Sequence, residues 1–175
     1  MAELKVYRMN PLVPMLGYGT KESACFDLSA SLADRSSTKG FYANNEPVVY
    51  LCHKDEKDAV CIKIPPRGRV LIPTGMVFDI EKGYHVKVYS RSGLSIKKGL
   101  AMANGVGVID SDYVEEVFVP MINNSDEELI IRHGDRVAQA EMVFNPNQAE
   151  VVYIQDRPTQ KTDRVGGFGS TGVSL

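Results

Sequence analysis

Tyr84–Ser90, YHVKVYS, alternates: Val86 and Val88 fall on one side of an extended chain, and Lys87 and Tyr89 fall on the other. A period of two marks a strand with one face in a core and the other toward water. Outward from this stretch the theme repeats. Short β-prone segments at 3–8, 24–30, 48–51, 59–64, 69–72, 76–80, 116–122, 128–132, 136–143 and 150–154 are separated by glycine, proline and asparagine. Many short strands without long helices between them predict an all-β sandwich or barrel rather than a doubly wound sheet. One short helix is expected at 92–98, with Ser92 placed to cap its first turn and Gly99 to end it.

A chain of 175 residues has the size of one domain. The strand pattern assigns 1–154 to a β-rich core. Within it, 34–58 is polar and rich in turn formers, which reads as a surface excursion containing a hairpin and a possible docking place for a protein partner. From 155 to 175 the chain turns polar and then glycine-rich, ending RVGGFGSTGVSL, and buries too little apolar area to order alone. It is expected to be a flexible arm, able to order over a ligand.

With 20 basic and 22 acidic residues the formal charge is −2, and no basic block offers a track for a nucleic-acid polymer. A few arginines and backbone amides still suffice to make a local anion pocket. Cys25, Cys52 and Cys61 have neither zinc-ligand spacing nor an even disulfide count, so free thiols of a reducing compartment are expected. His53, His85 and His133 form no metal set. The opening MAELKVYRMN reaches charge too early for a signal peptide, and no apolar run approaches membrane-spanning length, which predicts a cytoplasmic protein without membrane contact.

The most informative stretch is 105–117, GVGVIDSDYVEEV. Val106, Val108 and Ile109 are suited to anchor it in the core, and Asp110 and Asp112 to share a strand face. Two aspartates so spaced suit an ordinary turn or strand end. A carboxylate at the rim of a phosphate pocket also takes a proton from water and aims it at phosphorus. In 89–95, YSRSGLS, Arg91 brings paired donors for phosphate oxygens, and Ser92 and the Gly93 amide bring more, although a capped turn explains the same residues. The P-loop pattern is absent. In 134–139, GDRVAQ, Asp135–Arg136 reads as a local ion pair supporting the turn, and Gln139 as a further donor.

Together, ACFDLSA at 24–30, YSRSGLS at 89–95, NGVGVIDSDY at 104–113, GDRVAQ at 134–139 and GGFGSTG at 166–172 resemble, in order, the motifs of the trimeric-type dUTP pyrophosphatases. The resemblance implies a distorted jelly roll, or β-clip, assembled as a homotrimer with sites at the subunit interfaces. It implies hydrolysis of dUTP to dUMP and pyrophosphate by water that Asp110 activates toward the α-phosphorus. Tyr113 is then expected to stack under deoxyribose and disfavour a 2′-hydroxyl. Asn104 and Gly107 are expected to line the uracil pocket, and Arg91, Ser92, Gly93 and Gln139 to handle phosphate. Asp27 is expected to orient water around Mg2+, the ion being held chiefly by substrate phosphates. In the tail, Phe168 is expected to stack over uracil, Gly169, Ser170 and Thr171 to close over the terminal phosphates, and Arg164 to clamp them.

Three departures stand out from that pattern. Val114 and Glu115 replace a common Arg-Gly pair, the spacing from Arg164 to Gly166 is short, and the 34–58 excursion exceeds the shortest plan. Two other functions remain open at this level: a dCTP deaminase of the same broad fold group, and a nucleotide-dependent regulatory module docking through the excursion.

Overall fold

The structure, a computed structural model, describes residues 3–145, 151–159 and 161. The strands are β1 Lys5–Arg8, β2 Gly17–Tyr18, β3 Phe26–Ser29, β4 Ser37–Phe41, β5 Pro47–Leu51, β6 His53–Lys54, β7 Val60–Ile64, β8 Arg69–Asp79 and β9 Tyr84–Ser90. The helix α1, Ser92–Lys98, follows, and then β10 Leu100–Met102, β11 Val106–Ile109, β12 Glu116–Asn123, β13 Leu129–Arg132 and β14 Arg136–Phe144. The expected all-β class with one short helix holds.

Two sheets carry the core. In the five-stranded sheet the order is β11-β9-β14-β3-β2, and in the six-stranded sheet it is β10-β12-β8-β4-β5 with β1 also on β8. A small third sheet, β13-β7-β6, closes one side. The alternation in β9 does what its period requires: Val86 and Val88 are buried, and they share one cluster with Phe26 and Leu28 of β3, Ile72 and Phe78 of β8, and Val119 and Met121 of β12. Phe26 meets Phe78 edge to face at 6.4 Å between centroids, so the two sheets touch through aromatic as well as aliphatic side chains. On the other face of β9, the Tyr89 hydroxyl donates to Glu141 Oε1 of the neighbouring β14 at 2.6 Å.

Several sequence expectations are corrected. Segments 69–72 and 76–80 are one strand: Pro73 opposes Phe118 and Val77 opposes Glu116, so three residues of β8 stand against one of β12. Thr74–Gly75–Met76 is thus a bulge that follows Pro73, with Gly75 at φ +67°, and not a break. The N-cap of α1 is Arg91, without a side-chain cap, so Ser92 is the first helical residue; Gly99 does end the helix in the left-handed region. Residues 151–154 are not a strand. Nor is the excursion purely superficial. Its hairpin, β4 with β5, joins the edge of the six-stranded sheet and sends Thr38 and Tyr50 into the interior. No helix among the described residues is long and apolar enough to cross a membrane.

Candidate active site

Asp27 is fixed by its strand. It lies in β3 directly across from Gln139 of β14, and β14 lies between β3 and β9, so the end of β9 and the start of α1 reach the same edge. There Arg91 Nε approaches Asp27 Oδ1 at 3.0 Å, and Arg136 Nη1 approaches Oδ2 at 3.0 Å. Arg91 Nη1 also donates to the Arg136 carbonyl at 3.0 Å, and Gln139 Nε2 donates to the Ser90 carbonyl at 3.1 Å. Two guanidiniums on one carboxylate leave a net positive charge, and the preorganised forks suit phosphate oxygens. The amides of Leu94 and Ser95 both bond to the Arg91 carbonyl, while those of Ser92 and Gly93 precede the first helical bond and make no backbone bond among the described residues. These groups line a cleft of about 580 Å³. Asp27, Arg91, Ser92, Gly93 and Gln139 are therefore brought together.

Among the lining residues that sequence reading did not place in the site are Arg136 and Cys25. The local pair expected between Asp135 and Arg136 does not form: Asp135 Oδ2 accepts the Arg132 amide at 2.8 Å, and Arg136 reaches across the sheet to Asp27. Only the tertiary pairing of β14 with β3 reveals this. Cys25 was accessible to the period-two argument, because it stands two residues before Asp27 and so shares its side of the chain. Burial, with the charges of Glu141 and Asp27 adding to it, pushes the Cys25 thiol up.

The second group gathers around β11. Only Ile109 anchors it: Val106 and Val108 are 48% and 58% exposed, contrary to the core position expected for them. Gly107 faces Val88 across the β11–β9 pair. Asn104 lies in the exposed turn before β11, and this turn is no hairpin, since β10 bonds to β12 in one sheet and β11 bonds to β9 in the other. Asp110 and Asp112 share no strand face, because the chain leaves the sheet at Asp110 and the Tyr113 amide turns back to the Asp110 carbonyl at 3.2 Å. The Tyr113 hydroxyl donates to the Glu116 carbonyl at 2.8 Å, which holds the ring with 41% of the residue exposed. Asp110 opens on its own cleft of about 1070 Å³, shared with Asp112, His85 and Lys82.

One chain does not bring these two groups together. Ile109 pairs with Val86, and Arg91 lies five residues further along the β9 direction. At about 3.3 Å per residue, Asp110 and Arg91 stand roughly 16 Å or more apart. Arg164, Phe168, Gly169, Ser170 and Thr171 lie outside the described residues. The three cysteines are free, and the His133 ring nitrogen accepts the Leu32 and Ala33 amides, a structural role. No cluster of three or more His, Cys, Asp or Glu side chains able to hold a metal occurs among the described residues.

The family model described as dUTPase matches residues 57–172. The deoxyuridine 5'-triphosphate nucleotidohydrolase of Nautilia profundicola is 36% identical over 171 residues, spanning 97% of this chain and 99% of that protein. The same enzyme of Desulfitobacterium hafniense (strain DSM 10664 / DCB-2) is 46% identical over 114 residues, 65% of this chain and 74% of that protein. Among solved structures, a mutant of the Staphylococcus bacteriophage 80alpha dUTPase with dUpNHpp superposes with a TM-score of 0.72 at 19% identity, covering 98% of this chain and 99% of that one. The Streptococcus mutans dUTPase superposes at 0.60 with 20% identity, covering 84% and 98%. The jelly-roll architecture expected from the motifs is thus the observed fold.

Proposed function

The chain belongs to the dUTPase family, and from that premise we propose how its residues convert dUTP to dUMP and pyrophosphate. The observation that carries the reading is the cleft where Asp27, Arg91, Arg136 and Gln139 converge beside the open amides of Ser92 and Gly93. Such a site takes the triphosphate: Arg91, Ser92, Gly93 and Gln139 bind its oxygens, and the Asp27 carboxylate keeps the arginine fork aimed before substrate arrives.

Asp110 takes a proton from a water molecule as that water's oxygen attacks the α-phosphorus. The bond from the α-phosphorus to the bridging oxygen breaks, and pyrophosphate leaves with the electron pair. Tyr113, held through its hydroxyl, forms the wall under deoxyribose, and a ribose 2′-hydroxyl clashes with it. Asn104 and the backbone near Gly107 read the uracil edge, where a reversed donor pattern leaves buried polar groups unpaired. The tail from 155 to 175, through Arg164, Phe168, Gly169, Ser170 and Thr171, closes the site over base and terminal phosphates.

Magnesium fits this donor set as an ion carried on substrate oxygens and retained water, and not as one caged by protein. Asp27 already accepts from two guanidiniums and keeps lone pairs for an outer water. When bound, the ion neutralises charge on the phosphates. Because Asp110 and Arg91 are far apart in one chain, the working assembly is a homotrimer in which Asp110 of one copy meets the phosphate cleft of another.

The test is pyrophosphate release from matched dUTP, dCTP, dTTP and UTP samples with Mg2+, nucleotide products being separated by chromatography. Selective conversion of dUTP to dUMP is expected. Ammonia from dCTP, or equal hydrolysis of all four, overturns the reading.

A further inference from the structure

We propose that Arg35 and Glu116 are a positioning pair for the sugar wall, fixing the ring of Tyr113 through the backbone of Glu116 and thereby setting the discrimination between deoxyribo- and ribonucleotide. The inference rests on the reading of Tyr113 as that wall. Arg35 belongs to the excursion, between β3 and β4, far in sequence from the turn that carries Asp110 and Tyr113. Its Nη2 nevertheless donates to Glu116 Oε1 at 2.6 Å, with the two side chains only 23% and 10% exposed.

The same carboxylate oxygen accepts the Gly75 amide at 2.8 Å. That amide belongs to the bulge of β8, where the ladder to β12 is interrupted, so Glu116 supplies the acceptor that the strand pairing omits. The next residue is tied as well, since the Thr74 hydroxyl donates to the Val117 carbonyl at 2.7 Å. Arg35 Nε is buried without a partner among the described residues, so the bond to Glu116 is what holds the guanidinium in place. The carbonyl of Glu116, finally, accepts the Tyr113 hydroxyl at 2.8 Å. The linkage runs from guanidinium to carboxylate to bulge amide, and from the backbone so fixed to the phenol.

Without Arg35 the Glu116 carboxylate keeps only a neutral donor in a poorly hydrated place. It turns toward water, the Gly75 amide loses its acceptor, and the backbone that anchors the phenol is released. A loosened wall admits a 2′-hydroxyl, so UTP gains relative to dUTP. General destabilisation instead lowers turnover of both nucleotides alike, which makes their ratio the informative quantity.

The experiment compares kcat/KM for dUTP and UTP in wild type, Arg35→Met, Arg35→Lys, Tyr113→Phe and the Arg35→Met/Tyr113→Phe double variant. For Arg35→Met the preference for dUTP falls roughly tenfold while kcat for dUTP stays within about threefold. Arg35→Lys restores most of the preference. The double variant is no less selective than the worse single one, because both changes cut the same linkage. A wild-type preference in Arg35→Met, or additive losses in the double variant, overturns the proposal. If Tyr113→Phe and Tyr113→Ala both keep the wild-type preference, the sugar-wall reading itself fails; a preference that moves with Tyr113 but not with Arg35 removes this inference alone. Glu116→Gln, which keeps an acceptor oxygen for Gly75 but weakens the bond to Arg35, gives a smaller loss in the same direction and stands in if Arg35→Met does not fold.

Discussion

Asp27 and Asp110 are both carboxylates at strand ends, and their surroundings differ. Asp27 is 16% exposed and both of its carboxylate oxygens are engaged by guanidiniums. Asp110 is exposed and stands in no ion pair among the described residues, in keeping with the proposal that it acts as the base. Asp110→Asn keeps the shape and removes the proton acceptor, so kcat should fall by about 10²- to 10⁴-fold with dUTP binding nearly intact, measured by single-turnover pyrophosphate release beside equilibrium titration. Comparable losses in binding and turnover would point to a positioning role instead. Tyr89 makes a second case at this scale. Its hydrogen bond to Glu141, reinforced by burial and by the charges of Glu141 and Cys25, pushes the phenol up to about 12. A raised value in the folded state means that the stabilisation is complete below the unfolded phenol's range, about pH 10, and is lost as pH climbs toward about 12. Denaturant midpoints of wild type and Tyr89→Phe should therefore converge across that window; curves that stay parallel refute the tie.

Elements were legible where one local rule decided them. β9 followed from period two and α1 from its terminal Gly99, because both signals lie within the segment itself. The Thr74–Met76 bulge was not legible: a proline and a glycine so close together read as a break between strands, and only pairing with β12 and the Glu116 carboxylate makes β8 continuous here. The hairpin of β4 and β5 was expected within the excursion, but its seating on the sheet escaped for the same kind of reason, since its polar outer residues look superficial while Tyr50 is only 6% exposed. Gly40 decides how that hairpin docks. A Cβ there would stand 2.1 Å from the Arg69 carbonyl oxygen and 2.5 Å from the Tyr50 ring. Gly40→Ala must push β4 off β8, at a cost of about 1–3 kcal/mol in unfolding free energy, read from urea melts. A stability change within error would mean that the excursion is not seated on the sheet.

At the scale of the whole molecule, the motifs were legible as a set and their resemblance implied sites at subunit interfaces, while which motifs one chain brings together was not legible, because sequence order carries no distance. The pairing of Ile109 with Val86 supplies that distance, and it sets Asp110 and Arg91 at opposite ends of β9. If each site takes Asp110 from one copy and the phosphate cleft from a neighbour, two dead variants can repair each other. Asp110→Asn chains retain Arg91, and Arg91→Ala chains retain Asp110. In randomly mixed trimers, a site has both groups intact only when its Asp110 comes from an Arg91→Ala chain and its Arg91 from an Asp110→Asn chain. Those two independent choices, each about one half, restore about one quarter of wild-type turnover per site. The two purified variants would be unfolded together, refolded at equal concentration, sized by light scattering, and assayed for pyrophosphate release. Recovery near one quarter in trimers requires a site shared between chains. Trimers that form with no recovery require each chain to build its own site, and the β9 geometry would then have to change for Asp110 to reach the phosphates.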